Sequence, residues 1–515
     1  MHTLKKYIPF LFISWLLVNL LYAAERPPGG GGPGEYWVHF QYDIHVADPD
    51  GNPLSNIEVR MTAVYGLMIG GDWQSETVST TGFTNSTGDA HLDIWEEVSN
   101  WYPDNYQFSY MWAEVIETPD NVVSTSIGDH SDYPTGTAQF VLINPADDEN
   151  GNLIMDAYET PLINKFSPTL VLDAGDQGLS PKSVEIMLES SLIYEDIYSV
   201  IGQEWHNSYN WFPNIDFSNI MSDAGFQGSW VVVYHLDFPG DTPSEWFQYF
   251  NSIKNNYSNT IYAHLFIDNP YIVIQYWFFY PFNDFINNHE GDWEHINVLL
   301  DSQNPSQAEI VRVDYYFHHF ILEREQPGID FHVEDNTHPV VFVGGYSTIS
   351  DGWGSHGSYP IFGLWLAAAY DPNYPLEDDV YISELVSGDG DYLKYNTFQL
   401  VLLPEPDQID YSANPEMSWL AARIYWGQMW VPSPGAEELQ TLNDWKTFLS
   451  TITLGILNLE LPNDVGNAPP WGPKWNPGWN QTGVVGDVYV EYTETPPPFQ
   501  NWNPPQDQQE DDSQF

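Results

Sequence analysis

A nine-residue stretch, NNHEGDWEH at positions 287–295, concentrates side chains that can bind a metal or move a proton. Residues two apart on a β-strand point to the same side of a sheet, so Asp292 and Glu294 share a face if the stretch lies in a strand. Trp293 then points the other way, into a core. His289 precedes the two carboxylates at one end of a loop, and Asp284 stands at its other end. Both can reach the face that carries the carboxylates.

Three carboxylates and an imidazole brought together would repel one another and lose hydration unless a cation neutralises them. The stretch therefore predicts a metal site with four ligands: His289, Asp292, Glu294 and Asp284. Ligands of this kind favour Mg²⁺ or Ca²⁺, with Mn²⁺ also suited, while the imidazole leaves Zn²⁺ open. The residues alone fit a polar hairpin without a metal equally well, in which His295 pairs with a carboxylate.

Three histidines are predicted neighbours of this site: His295, His319 and His356. His318 and His319 are adjacent, so in a strand they point to opposite faces and at most one joins the site. His356 stands in the Gly- and Ser-rich segment GSHGSYP, for which a role in a turn is the alternative. Ser355 beside it does not make a nucleophile pair, because no nucleophile elbow is present.

A second cluster is the stretch DDENGNLIMDAYE. Counted from Asp148, oxygen-bearing side chains fall at positions 1, 3, 5, 9 and 12, the spacing that wraps one Ca²⁺. The predicted ligands are Asp148, Asn150, Asn152, Asp156 and Glu159, with the backbone carbonyl of Ile154 at position 7. Leu153 stands where a Gly is usual, and Pro161 is expected to prevent a long exiting helix. The stretch resembles a single dockerin-type calcium loop, and an acidic linker without metal is the alternative.

The amino terminus has the three parts of a secretory signal peptide: a basic start, an apolar run, and the small residues Ala23 and Ala24. We therefore expect a secreted protein without a transmembrane segment after processing. The chain has 13 Lys and Arg against 72 Asp and Glu, a net charge of −59, which argues against nucleic acid as a partner and favours cations. With no cysteine, stability must come from buried cores.

The elements around these clusters read as mainly β. Alternating stretches separated by the turn signals DPDGNP and NSTGD predict an antiparallel sandwich, which resembles the Ig-like or transthyretin-like modules of secreted bacterial proteins. Further along, YIVIQYWFFY and EHINVLLD predict a strand and its return strand. Helix starts at Ser180 and Thr242, each followed by Pro, add a few helices to a larger β-sandwich domain.

Motifs in order over roughly residues 163–480 resemble the Vps62-related family: QYWFFYPFND, HEGDWEHINVLLD, VRVDYYFHHF, HPVVFVGGYSTISDGWGSHGSYP and ARIYWGQMW. The HxxDWEH core is similar to that of the necrosis- and ethylene-inducing toxins, β-sandwich proteins whose Asp, His, Asp and Glu bind a divalent cation on the way to attacking membrane sphingolipids. The resemblance implies the same site at His289, Asp292 and Glu294, with Asp284 or Asn283 completing it. It favours the metal over the hairpin.

Glu290 and Gly291 stand where the toxins carry Arg and His, so the resemblance does not extend to toxin activity. We expect a secreted, non-enzymatic binding protein whose cation recognises a polar lipid head group or a glycan, and action on a membrane is left open. One alternative is a metal-dependent hydrolase in which Glu294 or His356 acts as general base. The other is a structural or adhesion protein stabilised by calcium.

These patterns and motifs predict the order of segments along the chain. It is a signal peptide (1–24), a flexible leader (25–34), an Ig-like β-sandwich (35–143), a calcium-loop linker (144–162), a Vps62-like β-sandwich domain (163–480) and a Pro-rich acidic tail, partly disordered (481–515).

Overall fold

The chain is mainly β, as the sequence predicts. A computed structural model describes residues 35–69, 72–99, 106–172, 179–199, 204–208, 225–227, 230–283, 289–317, 320–325, 327–344, 356–369, 380–386, 392–406, 409–427, 472–476 and 478–483. It divides into two units, the first ending at Asp156 and the second beginning at Ala157. The predicted signal peptide (1–24), the leader (25–34) and the tail beyond residue 483 lie outside the described residues.

The first unit is a sandwich of two four-stranded sheets. Its strands are β1 (Glu35–Ala47), β2 (Glu58–Ile69), β3 (Asp72–Phe83), β4 (Asp89–Ser99), β5 (Tyr106–Val115), β6 (Val122–Ile127), β7 (His130–Ser131) and β8 (Thr135–Ile143). One sheet has the order β4-β1-β8-β6 and the other β3-β2-β5-β7.

Alternation of apolar and polar residues explains the sandwich. Phe40, Tyr42 and Ile44 of β1 are buried in one core with residues of the opposite sheet, while Asp43 between them is exposed. The predicted turn after β1 forms because the Asp48 carboxylate accepts a hydrogen bond from the backbone amide of Asn52 at 2.8 Å. This turn leads the chain from one sheet to the other, because β1 pairs with β4 and β8 whereas β2 pairs with β3 and β5.

The second unit contains the remaining strands. They are β9 (Thr169–Val171), β10 (Leu192–Ser199), β11 (Glu204–Ser208), β12 (Gly225–Gln227), β13 (Trp230–Asp237), β14 (Thr260–Asp268), β15 (Tyr271–Asn283), β16 (His289–Leu300), β17 (Ile310–Phe317), β18 (Phe320–Arg324), β19 (Val333–Glu334), β20 (His338–Val343), β21 (Ser358–Tyr359), β22 (Gly363–Ala369), β23 (Val380–Val386), β24 (Tyr392–Leu393), β25 (Gln399–Leu402) and β26 (Ile424–Tyr425). The largest sheet has the order β18-β17-β16-β15-β14-β25. A second has the order β19-β20-β9-β24 with β21 beside β20, a third β11-β10-β13-β12 with β26 beside β13, and β22 pairs with β23.

The antiparallel pair β15 and β16 lies in the middle of the largest sheet and is buried along almost its whole length. Its register places Tyr280 opposite Asp292, Phe278 opposite Glu294 and Asn283 opposite His289. The return strand begins at His289 rather than at Glu294, where the run EHINVLLD predicted it to begin. The part of NNHEGDWEH that carries the histidines and carboxylates is therefore in a strand rather than in a loop.

Four helices are present in the described part of the chain: α1 (Asp156–Lys165), α2 (Glu185–Leu188), α3 (Pro243–Ile253) and α4 (Ser418–Ala421). The start predicted at Thr242 is confirmed, because its hydroxyl accepts from the backbone amide of Glu245 at 3.3 Å. Glu245 in turn accepts from the backbone amide of Asp241 at 2.9 Å. No helix among the described residues is long and apolar enough to cross a membrane.

Two expectations about helices are wrong. Ser180 does not cap a helix: its hydroxyl bonds the Asn259 side chain at 2.8 Å, Lys182 forms a bridge to the same residue, and α2 starts only at Glu185. The bridge between Lys182 and Asn259 takes the place of the helical turn that the local sequence pattern predicts. Pro161 does not stop α1, which continues to Lys165. A proline removes one intrahelical hydrogen bond, and burial of the residues that follow it offsets that loss.

Candidate functional site

The stretch HEGDWEH forms the first half of β16, with its side chains divided between two environments. Asp292 and Glu294 are both buried and lie two residues apart on the strand. Trp293 points the other way, as predicted, into a cluster of aromatic rings that includes Phe279, Trp419 and Trp426. The carboxylates therefore occupy the side of β16 opposite the aromatic core.

Gly291 allows the backbone of another segment to approach this stretch closely. It has φ +59°, and a Cβ there would lie 1.8 Å from the carbonyl oxygen of Trp426. Gly427 is equally constrained, since its Cβ would lie 2.3 Å from the carbonyl oxygen of Glu290. The Glu290 carboxylate, fully buried, accepts a hydrogen bond from the backbone amide of Phe238 at 3.0 Å. The segment at 426–427 thus packs directly on the backbone of the motif.

Asp292 and His356 are brought together across the fold. Nδ1 of His356 lies 2.8 Å from Oδ2 of Asp292, and because a carboxylate only accepts, the imidazole donates. The imidazole stacks on the Tyr280 ring, with centroids 4.0 Å apart and planes 7° apart. His356 is 0% exposed, and its Nε2 has no hydrogen-bond partner among the described residues. Its backbone has φ +55° and donates to the carbonyl of Gly344 at 3.0 Å.

His289 is held by its own backbone neighbour. Nδ1 donates to the carbonyl oxygen of Gly291 at 2.7 Å, which fixes the proton on that nitrogen. Nε2 then carries a lone pair, which accepts a hydrogen bond from Nδ2 of Asn283 at 3.2 Å; Asn283 is the residue opposite His289 in the sheet. A backbone carbonyl that orients one nitrogen so that the other is free to ligate is the usual support of a metal-binding histidine.

The other predicted residues lie elsewhere. His295 is on the Trp293 side of the strand, stacked on Trp277 at 4.3 Å and on Tyr316 at 4.0 Å. Burial lowers the pKa of His295 to about 3, so the ring is neutral at physiological pH. Asp284 and His319 lie outside the described residues.

The donor chemistry fits a divalent cation in part. The imidazoles of His289 and His356 each have one nitrogen fixed by a hydrogen bond. Together with the buried carboxylates of Asp292 and Glu294, they are suitable ligands for a cation. Within the described ranges, however, no three His, Cys, Asp or Glu side chains lie close enough together to hold an ion by themselves. The described side chains therefore do not complete a metal site by themselves.

Tyr280 is the site residue that the sequence reasoning missed. The run YIVIQYWFFY reads as apolar core, and nothing in it marks one aromatic ring as the platform for a histidine 76 positions later. The signal that could have found it is register: once the hairpin pairs Asn283 with His289, Tyr280 must face Asp292. Register depends on loop length, which composition does not fix.

The predicted calcium loop is ordered around its first residue. Asp148 is 7% exposed and accepts from the backbone amide of Leu153 at 2.9 Å. Leu153 has φ +67°, so it adopts the left-handed conformation for which Gly is usual at that position. The Ile154 side chain is buried, Asp156 begins α1, and Glu159 is buried on that helix.

The chain matches no protein-family model and no curated protein. Solved structures that match include necrosis- and ethylene-inducing proteins, all at low similarity. NLPPya in complex with glucosamine has 13% identity over 51% of this chain and 79% of that chain, with a TM-score of 0.23. Necrosis and Ethylene inducing Protein 2, from the causal agent of cocoa's witches' broom disease, has 14% identity over 51% and 78%, with a TM-score of 0.21.

The non-toxic HaNLP3 protein has 12% identity over 55% of this chain and 90% of that chain, with a TM-score of 0.25. These scores are too low to carry an argument about fold or function. The resemblances to the Vps62-related family, to Ig-like modules and to dockerin-type loops stay predictions.

Proposed function

We propose that the second unit binds a divalent cation, Mg²⁺ or Ca²⁺, at His289, Asp292 and Glu294, and that the cation recognises a polar lipid head group or a glycan outside the cell. The orientation of His289 is the observation that carries the proposal. Its Nδ1 proton is fixed by the Gly291 carbonyl, so Nε2 presents a lone pair in the interior of a strongly acidic protein. A half-turn of the Asn283 amide would present its oxygen beside that nitrogen as a second ligand.

Burial of the carboxylates supports the same proposal. Asp292 is 5% exposed and its described partner is the imidazole of His356, while Glu294 is buried two residues away. Taking carboxylates out of water is costly unless positive charge compensates them. A cation would supply that charge, and His356 would hold the Asp292 carboxylate in a fixed orientation.

The overall charge of −59 bears on the ligand. A protein this acidic repels phosphate and carboxylate groups at long range. A bound divalent cation would coordinate hydroxyl or phosphate oxygens directly and so allow such a ligand to bind. Secretion, which the amino-terminal pattern predicts, would place the site where head groups and glycans are accessible.

The test uses the full mature chain with Mg²⁺ or Ca²⁺ alone, followed by vesicles with and without glycosphingolipid and by a panel of glycans. We expect Asp292→Ala and His289→Ala to lose metal binding at this site and, with it, any ligand binding that EDTA abolishes. His130→Ala, which removes an exposed histidine of the first unit, is the control and should behave as wild type. Equal metal affinity in wild type and both variants, or ligand binding that persists in EDTA, would refute the proposal.

The Asp292–His356 pair supports hydrolysis as a second candidate. A carboxylate that orients Nδ1 leaves Nε2 available as a general base, and in His356 that nitrogen has no partner in the described part of the chain. A bound cation would then activate water. Metal-dependent turnover of phosphate or carboxylate esters, lost in His356→Gln, would favour the hydrolase. Absence of turnover together with ligand binding would favour recognition.

A further inference from the structure

The loop that follows the last strand of the first unit contains a buried carboxylate with one oxygen unsatisfied. Asp148 is 7% exposed; one of its oxygens accepts from the amide of Leu153, and the other, Oδ1, is buried with no hydrogen-bond partner among the described residues. A buried polar atom is nearly always satisfied, so an orphaned carboxylate oxygen indicates a missing partner. Because the oxygen belongs to an acid, the partner should be a donor or a cation.

The polar side chains that follow in sequence accept hydrogen bonds from the backbone of the loop. The side-chain oxygen of Asn150 accepts from the amide of Asn152 at 3.1 Å, and that of Asn152 accepts from the amide of Ile154 at 2.9 Å. Asp156 closes the segment by accepting from the amide of Glu149 at 3.1 Å. An amide or carboxylate oxygen has two lone pairs, so a hydrogen bond from the backbone is compatible with coordination of a cation.

The loop is also fixed to the sandwich. The hydroxyl of Ser124 on β6 donates to the carbonyl of Leu153 at 2.8 Å, and the Ile154 side chain is fully buried. Leu153 holds φ +67° without the help of a Gly, a conformation that costs a branched or bulky residue free energy and that this anchoring maintains. A ligand therefore meets a loop that is already folded rather than one that must be ordered.

Ion pairs are the second feature of this loop. In the part of the chain that the structure describes, neither Asp148 nor Asp156 forms an ion pair with Lys, Arg or His. With 13 basic residues against 72 acidic ones, the chain has few to offer. A cation from solution would supply the compensating charge.

We infer that residues 148–156 of the first unit bind one Ca²⁺ through the side-chain oxygens of Asp148, Asn150, Asn152 and Asp156, together with the carbonyl of Ile154. All of these ligands are oxygen atoms, which a hard cation prefers. These five oxygens leave at least one position of a Ca²⁺ shell of six to eight oxygens for water. Ca²⁺ is favoured over Mg²⁺ because it accepts a flexible geometry, whereas Mg²⁺ demands a near-ideal octahedron. The site is separate from the one at His289 and does not depend on it.

The test is a calorimetric Ca²⁺ titration of the full chain, wild type beside Asp148→Asn. This change keeps an oxygen that can accept from Leu153 and removes the charge, so the fold should persist. We expect the affinity of one Ca²⁺ site to fall at least tenfold, and the Ca²⁺-dependent rise in melting temperature to shrink with it. Asp147→Asn, an exposed neighbour with the same change of charge, should leave both unchanged.

Two further variants make the result decisive. Asp156→Asn changes an exposed ligand and should weaken the same Ca²⁺ site even if Asp148→Asn does not fold. The combined variant His289→Ala/Asp292→Ala should leave the Asp148-dependent heat in place. Identical titrations of wild type, Asp148→Asn and Asp156→Asn would overturn the inference. So would an equal loss in Asp147→Asn, which would show that only general acidity attracts the ion.

Discussion

The two candidate cation sites are built in opposite ways. The loop at 148–156 takes all its oxygens from nine consecutive residues, and one buried carboxylate with an orphaned oxygen marks its centre. The site at Asp292 is assembled from β15, β16 and a residue 64 positions further along the chain. One site is a local folding event, whereas the other exists only when the second unit has formed its sheets.

The contrast shows what each site depends on. In the loop, the backbone of Leu153 and the side chain of Asp148 are fixed by neighbours within five residues and by one hydroxyl from β6. In the strand site, the position of His356 depends on stacking against Tyr280 and on a backbone hydrogen bond to Gly344. Damage to distant packing should therefore disable the strand site and leave the loop intact.

Gly291→Ala should have the largest effect. A methyl group there meets the Trp426 carbonyl at 1.8 Å and the backbone has φ +59°, so we expect a loss of about 4 kcal/mol or more in the stability of the second unit. Gly51→Ala is the control, because Gly51 has φ +79° with nothing within 4 Å of its Cβ. It should cost about 1 kcal/mol for the conformation alone.

Thermal and urea unfolding of both variants measures the difference. Calcium binding at the loop should survive Gly291→Ala while metal binding at Asp292 is lost. Equal destabilisation by the two glycine changes would show that the close approach to Trp426 does not constrain the strand site.

A third buried carboxylate sharpens the comparison, because it has a protein cation beside it. Asp314 is fully buried and lies 2.7 Å from Nε of Arg312, yet burial raises its pKa to about 6. The folded state therefore holds a proton on Asp314 between about pH 4 and 6 that the unfolded chain releases. The stability associated with protonated Asp314 is fully present below the pKa of the unfolded chain. It is lost as pH rises through 6, and the loss is about 3 kcal/mol at most.

Urea unfolding between pH 4 and 7 checks this sign, with Asp314→Asn compared to wild type. In the variant, stability should no longer fall between pH 4 and 6 in the way it does in the wild type. EDTA should not change this difference between the two proteins. Asp120→Asn, at an exposed position of the first unit, is the matched control. An unchanged slope in Asp314→Asn would remove Asp314 as its source.

The smallest predicted effect concerns the anchoring of the loop. Ser124→Ala removes the hydrogen bond to the Leu153 carbonyl and should lower stability by about 1 kcal/mol and Ca²⁺ affinity a few-fold. Ser126→Ala, two residues along the same strand, removes a hydrogen bond to Asp129 instead. It should cost similar stability and leave Ca²⁺ affinity unchanged, as calorimetry would show. Equal affinities in the two variants would mean that the anchor does not shape the loop.

The same contrast explains how much could be predicted from sequence. Alternation and turn residues predict the mainly β fold, since they are local properties of strands such as β1 and its Asp48 turn. The capping residues at Thr242 and Glu245 likewise predict the start of α3. Ser180 carries a similar local signal, but its hydroxyl donates to the side chain of Asn259, 79 positions further along the chain.

Long-range features were predictable only in part. The spacing within HEGDWEH identifies residues capable of chemistry, but the partnership of Asp292 with His356 depends on β21 meeting β16. His295 lies two residues after Trp293, so in a strand both side chains point to the same side, among the aromatic rings. This spacing can be read from the sequence. The role of Gly291 becomes evident only when the segment at Trp426 lies against it.

The central claim is that each region binds its own cation, and metal content tests it most directly. The full chain and three variants would be dialysed against buffer containing Ca²⁺ and Mg²⁺, then against metal-free buffer, and analysed for elements. The variants are Asp148→Asn, His289→Ala/Asp292→Ala, and the two combined. We predict two ions in the wild type, one in each of the first two variants and none in the combination. The same metal content in the wild type and the His289→Ala/Asp292→Ala variant would contradict it.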